Sequence, residues 1–323
     1  MRVLVKGAGV VGLTLAHELA ARGVEVTVFE PEPGFAASAS WFAGGMLAPW
    51  CERESAEEPV LTDGISAIDW WDRTLPGEVS RNGTLVVAPP RDTGELRRFA
   101  ARTSGLEWLD AAAIARLEPA LAGRFQHALF FAGEAHLDPR RALQSLRRKL
   151  QDRGVAFVDA IDGDQGDRLI ADCTGASKIG SAEGLRGVRG EMLYLQTSEV
   201  ALSRPVRLIH PRIPLYIVPR GEGLFMCGST MIETDDRGPI TARSMMELLN
   251  AAYALHPAFG EARLVETGTG VRPAFADNLP RATRTGNTVT LNGLYRHGFL
   301  LSPALAATAA DLMCGRDMKG DAR

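Results

Sequence analysis

Hydrophobic positions along the chain follow two periods. Residues 2–5 (Arg-Val-Leu-Val) form a short β-rich run that the glycines from Gly7 to Gly12 break. From Val11 to Arg22 the apolar positions Leu15, Ala16, Leu19 and Ala20 recur at helical spacing, and Gly23 stands where a helix stop is expected. Val24 to Phe29 is a second β-branched run ending at Glu30. The chain therefore opens with a strand–turn–helix–strand unit. A nicotinamide dehydrogenase would continue with another helix and a third parallel strand. Here Pro31 and Pro33-Gly34 lead instead into a small-residue loop over 36–46.

Further on, the pattern predicts a helix over 64–75, a strand over 83–88 and helices around 93–103 and 110–121, with no parallel-sheet rhythm. Asp138-Pro139 is a helix start, Asp as cap and Pro in the first turn, for a helix running to about Arg153 and closed by Gly154. Two β-runs follow, 155–158 and 168–172, and Cys173-Thr174-Gly175-Ala176 breaks the second. From Gly190 the reading becomes antiparallel: a strand over 192–195, and a hairpin of 215–219 with 224–227 around Gly-Glu-Gly. A helix over 241–255, strands at 264–272 and 288–292, a loop from Gly293 to Pro303 and a last helix from near Pro303 to Cys314 complete the plan. The fold class is α/β, α+β overall: a Rossmann-type domain in separated pieces (1–55, 134–190, 262–323) and an inserted sheet domain (56–133, 191–261).

The glycines add chemistry. Gly7-Ala8-Gly9-Val10-Val11-Gly12 matches G-x-G-x-x-G, in which the first glycine makes the turn, the second admits a pyrophosphate and the third lets helix and strand pack closely. The following helix offers free N–H groups and the positive end of its dipole to phosphate. Glu30, eighteen residues after Gly12, closes the next strand near the ~20-residue spacing at which an acid accepts the ribose hydroxyls. Two features favour FAD over a nicotinamide: the small-residue turn at Thr174-Gly175, and a loop before a late helix whose N-terminus could face the flavin pyrimidine.

Composition narrows the setting. A net charge of −3 with scattered arginines gives no nucleic-acid footprint. No stretch approaches the ~18 apolar residues of a membrane span, and Lys6, His17 and Glu18 interrupt any signal-peptide core. Four dispersed cysteines (Cys51, Cys173, Cys227, Cys314) read as small buried residues, without metal-ligand spacing, in a reducing cytoplasm. No metal is expected, and a homo-oligomer is left open.

Six ordered segments then carry a family resemblance: GAGVVG at 7–12, SWFAGGMLAP at 40–49, LYIVPR at 215–220, GSTM at 228–231, GVRP at 270–273 and GLYRHGFLLSP at 293–303. The chain resembles the D-amino acid oxidase-like FAD-dependent oxidoreductases over nearly its whole length, and among them the glycine oxidase branch tied to thiamine biosynthesis. The resemblance implies that Arg272 grips a substrate carboxylate with the Tyr216 hydroxyl, and that Met46 and Met231 form a small apolar wall. It places Arg296 near the mouth of the site. Gly44, Gly45 and Met46 would approach the flavin ring, with Arg296, His297, Gly298, Phe299 and Leu300 along its other edge. Gly7, Gly9, Val10, Val11, Gly12, Glu30, Thr174 and Gly175 would hold the dinucleotide. Each has a bland rival: an arginine paired to a structural acid, a buried core phenol, methionines as filler.

Three departures qualify the match. The link between the strands at 155–172 is short, so no adenine contact is placed there. Asp277 and Pro280 are kept, but Arg281-Ala282 replaces the usual Ile-Gly. Cysteine is absent from 264–300, so the flavin is expected to be non-covalent. The implied activity is oxidation of glycine or a similar amine-bearing acid to the imine, with oxygen reduced to hydrogen peroxide. Alternatives are an oxidase or dehydrogenase for sarcosine, another N-substituted glycine or a D-amino acid, or a silent flavin-binding subunit.

Overall fold

The protein is described by a computed structural model over residues 1–32, 34–35, 38–161, 168–209 and 215–315. Part of the small-residue loop (Ala36, Ala37) and part of the 155–172 link (162–167) fall outside these residues. A six-stranded sheet runs in the order 281–285, 288–292, 169–172, 2–6, 25–29, 156–158, parallel except for the first strand at its edge. Its alternating valines (Val3, Val5, Val26, Val28, Val289) pack into one core with the helices Val10–Ala21, Pro139–Asp152 and Gly298–Met313. Asp138 caps the Pro139–Asp152 helix as expected, accepting from the N–H of Arg140 at 2.8 Å.

The second sheet has nine strands and is mostly antiparallel. Its spine is the pair Arg186–Gln196 and Arg263–Ala274, both longer than the sequence pattern suggests. The Leu215–Pro219 and Leu224–Gly228 hairpin turns at Gly221-Glu222-Gly223, all three with positive φ. The strands His127–Phe131 and Glu107–Asp110, unforeseen in the hydrophobic pattern, extend the sheet beyond Thr84–Val87. A small third sheet joins Met46–Leu47, Ala135–Leu137 and Val79–Ser80.

Alternation gives the large sheet two different faces. Leu85, Val87, Leu193, Leu195, Ile217, Phe225 and Cys227 point to one side and bury Leu248, Ala252 and Leu255 of the helix Ala242–Leu255. The register aligns Val86, Arg207, Tyr216, Gly228, Met192 and Gly268 in one row on the other side. That second face carries Tyr216 and Tyr194, Arg207, Arg272 (two positions along its strand from Gly270) and the glycines Gly190, Gly228, Gly268 and Gly270. It looks onto the end of the parallel sheet.

The last helix departs from the sequence reading. It begins at Gly298, with Pro303 inside it. Proline cannot donate to the carbonyl four residues back, which here is that of Phe299. The buried Trp71 indole supplies the missing donor, Nε1 to the Phe299 oxygen at 2.8 Å. The proline that suggests a helix start is thus tolerated in an interior position because a distant side chain completes the backbone bonding. Three cysteines are buried and Cys314 partly so, all unpaired. Among the described residues no helix is long and apolar enough to cross a membrane.

Candidate active site

A cavity of about 680 Å³ lies between the C-terminal edge of the parallel sheet and the glycine-bearing face of the large one. At the parallel-sheet end its wall is shaped by close backbone approaches. Gly7 has φ +98°, and a Cβ there would sit 2.7 Å from the Cys173 carbonyl oxygen. A Cβ on Gly12 would lie 1.9 Å from the Gly7 oxygen, so only glycine lets the helix start this close to its strand. Ser38 and Ser40 face Gly9, and the Ser40 hydroxyl accepts the Val10 N–H at 3.1 Å. Val10 and Val11 lie at the helix N-terminus on the same wall. Glu30 also lines this end, its carboxylate paired with Arg147. The turn at Thr174 and Gly175 completes it, tied by the Asn292 amide donating to the Gly175 oxygen at 3.0 Å.

The middle of the cavity is bounded by Gly44, Gly45 and Met46 on one side and by residues 296–300 on the other. Gly45 has φ +70° with the Leu137 oxygen where a Cβ would go, and Arg220 pins the segment by donating to the Gly44 oxygen at 2.8 Å. Opposite, the first backbone bond of the last helix is Leu301 N–H to the His297 oxygen (2.8 Å). The N–H groups of Gly298, Phe299 and Leu300 therefore precede the ladder and have no intrahelical acceptor.

At the large-sheet end, Arg272 extends over Gly190, where a Cβ would meet its guanidinium at 2.1 Å. Its nitrogens donate to Ser229 Oγ (2.6 Å) and the Thr230 oxygen (3.1 Å). The Tyr216 hydroxyl donates to the same Ser229 oxygen at 3.1 Å. From behind, Thr230 is held by Glu191, itself bonded to the buried Arg189. No carboxylate among the described residues pairs with Arg272, and burial draws its pKa down. A fixed guanidinium without a counter-ion is a receptor for one.

The model of the DAO family, FAD dependent oxidoreductase, matches residues 2–312. The chain belongs to this family of FAD-dependent oxidoreductases. It is 64% identical over 313 residues to a Rhizobium etli protein named as a thiamine biosynthesis oxidoreductase, ThiO, covering 96% of this chain and 95% of that one. It is 28% identical to the glycine oxidase of Pseudomonas aeruginosa, covering 98% and 95%. The crystal structure of glycine oxidase from Geobacillus kaustophilus shares the fold, with a TM-score of 0.81 at 21% identity over 99% and 96% of the two chains.

The cofactor of this FAD-dependent oxidoreductase is FAD, and the residues present fit it. The glycine turn and helix start suit a pyrophosphate, and the open groove past Gly44 and Gly45 suits a flat ring system. Gly298, Phe299 and Leu300, whose N–H groups have no intrahelical acceptor, line that groove.

All the residues singled out from the sequence except the buried Gly12 line this one cavity. Met231 and Arg296 are among those with partners the sequence does not reveal. Met231 is 44% exposed and sits at the rim, contacted by the Tyr295 hydroxyl and by Arg296. Arg296 is engaged, with Nε 2.8 Å from Glu52 Oε2 and Nη2 donating to Ser55.

Glu52 is the centre of a network that sequence reasoning missed. Its carboxylate meets Arg207 at 3.0 Å, Arg296 at 2.8 Å and His297 Nε2 at 3.0 Å. Burial opposes its charge, but Arg296, Arg207 and His297 hold the carboxyl well below the usual carboxylate range. His297 is pushed down by burial and is neutral at pH 7. The available signal was Arg207 itself, a lone charge in the apolar run Val206-Arg207-Leu208. A charge at one alternate position of a buried strand marks the face with something to bind.

Proposed function

We propose that the chain oxidises glycine, or a similarly small amine-bearing acid, at the carbon carrying the amine. The products are the imine, which hydrolyses to an oxo acid and ammonia, and hydrogen peroxide from molecular oxygen. Bound FAD supplies the two-electron acceptor and returns its electrons to oxygen. Arg272 and Tyr216 hold the carboxylate, and Met46 bounds the space beside the reacting carbon, with Met231 at the rim of the cavity. Glu30 receives the adenosine ribose, and the N–H groups of Gly298 to Leu300 favour negative charge on the ring opposite them. The similarity to proteins named ThiO and glycine oxidase supports this reading and a role in thiamine biosynthesis. In this chemistry no side-chain base is needed when the neutral amine binds: orientation and electrostatics are the protein's part.

The observation that carries the proposal is Arg272 in the cavity wall, braced by Ser229 and Thr230, with Tyr216 on the same Ser229, and lacking a counter-ion among the described residues. Glycine added without oxygen to the FAD-loaded protein should bleach the visible flavin absorbance. Arg272→Leu should weaken substrate capture by about 2–5 kcal/mol, the cost of truncating a buried charge partner. Glycine turnover unchanged by that substitution would sink the assignment.

A further inference from the structure

Arg207 and Tyr216 are paired residues on adjacent strands, so their side chains leave the same sheet face side by side. Tyr216 shares Ser229 with Arg272. Arg207 therefore continues the row of carboxylate-binding groups by one strand, a step of about 4.8 Å. Both arginines line the same cavity.

The charges there do not balance for a monocarboxylate. One carboxylate, Glu52, faces two guanidiniums, Arg207 and Arg296, and Arg272 has none of its own among the described residues. His297 adds no charge at pH 7. Glu134, behind Arg207, has its pKa pushed up to about 7 by burial and supplies only part of a charge. Among the described residues, three guanidiniums against one full carboxylate leave an excess that the single carboxylate of glycine does not cancel. Buried charge is costly unless paired, so the missing anion belongs on the ligand.

We propose that the preferred substrate is an amine bearing two carboxylates, one held by Arg272 and Tyr216 and the second received by Arg207 at the edge of the Glu52 network. This rests on the amine-oxidation reading above and moves the preferred substrate from a monocarboxylate such as glycine to a dicarboxylate. The reaction is unchanged. The C–H bond beside the first carboxylate breaks, two electrons and two hydrogens pass from the C–N unit to FAD, and the C=N bond forms. The second carboxylate takes no part in the bond changes; it anchors the molecule.

The test uses the FAD-loaded enzyme without oxygen and follows flavin bleaching with glycine and with two matched pairs: N-(carboxymethyl)glycine against sarcosine, and racemic aspartate against racemic alanine. At subsaturating substrate, the diacid of at least one pair should reduce the flavin at least tenfold faster than its partner, and Arg207→Gln should bring that ratio to near one. Bleaching by glycine or sarcosine with no diacid preference overturns the inference and leaves the oxidase reading standing. A preference that survives Arg207→Gln also overturns it. If none of the five compounds bleaches the flavin, both readings fall. Wild-type protein alone gives an independent measurement: succinate should perturb the flavin spectrum at a concentration at least tenfold lower than propionate. Equal affinities would count against the second subsite.

Discussion

A Cβ on residue 190 would lie 2.1 Å from the Arg272 guanidinium, so Gly190 is the floor on which that side chain rests. The two are near neighbours across the central strand pair, where Gly190 faces Gly270 and Arg272 faces Val188. The clash in a Gly190→Ala variant is with the far end of a flexible side chain, so the sheet can keep its register while the guanidinium moves. We expect near-normal melting and FAD content but a loss of roughly 2 kcal/mol or more in kcat/KM, about 30-fold, read as weaker substrate capture. Kinetics indistinguishable from wild type would show that Arg272 is not positioned by this glycine.

The Trp71–Phe299 bond gives a test of how the last helix is held at the flavin edge. Trp71→Phe leaves the Phe299 carbonyl without its donor, at a cost of about 1–3 kcal/mol for an unsatisfied buried group. Pro303→Ala returns a backbone N–H to the position from which that carbonyl is normally bonded. The double variant should therefore be more stable than Trp71→Phe alone. Additive losses in thermal melts would show that the indole stabilises by packing only.

At the dinucleotide end the constraint is backbone against backbone. Gly12→Ala places a methyl 1.9 Å from the Gly7 oxygen, which cannot rotate away. Overpacking of this kind costs about 1–3 kcal/mol, here concentrated on the turn that receives the pyrophosphate. The variant should purify with little bound FAD, measured as the ratio of visible to ultraviolet absorbance. Gly94→Ala, whose Cβ meets nothing within 4 Å, is the control and should retain the full complement.

The parts of the fold that were legible in the sequence are those governed by local rules. The glycine turn, the Asp138-Pro139 cap and the hairpin at 221–223 each announce themselves within a few residues. The Pro303 error shows the limit: its position inside a helix depends on Trp71, 232 residues earlier in the chain. Arg272 and Tyr216 could be marked because they sit in recognisable segments. Glu52 could not, and Arg207 stood out only as a lone charge in an apolar run; their pairing exists only when a short helix (Pro49–Arg53) and a three-residue strand (Val206–Leu208) meet across the cavity. Charge pairing between distant segments leaves no periodicity to read.

Glu134 supplies a prediction with a sign. It is 1% exposed, accepts the Cys51 N–H at 2.7 Å through Oε1, and leaves Oε2 without a hydrogen bond among the described residues. Burial lifts its pKa from near 4.5 to about 7, although the Thr84 hydroxyl, Cys51 and Arg207 pull the other way. The folded state therefore holds this proton more tightly than the unfolded chain. Its contribution is most favourable below pH 4.5, is lost as pH rises toward 7, and levels off above that. The full swing is about 3 kcal/mol, taking 1.36 kcal/mol per pKa unit. A Gln at this position can still accept from Cys51 and never ionises. The melting temperature of Glu134→Gln relative to wild type should thus climb between pH 5 and pH 8 and then flatten. A difference that does not change with pH would mean that Glu134 is ionised throughout, its charge held by Arg207, and that burial does not control it.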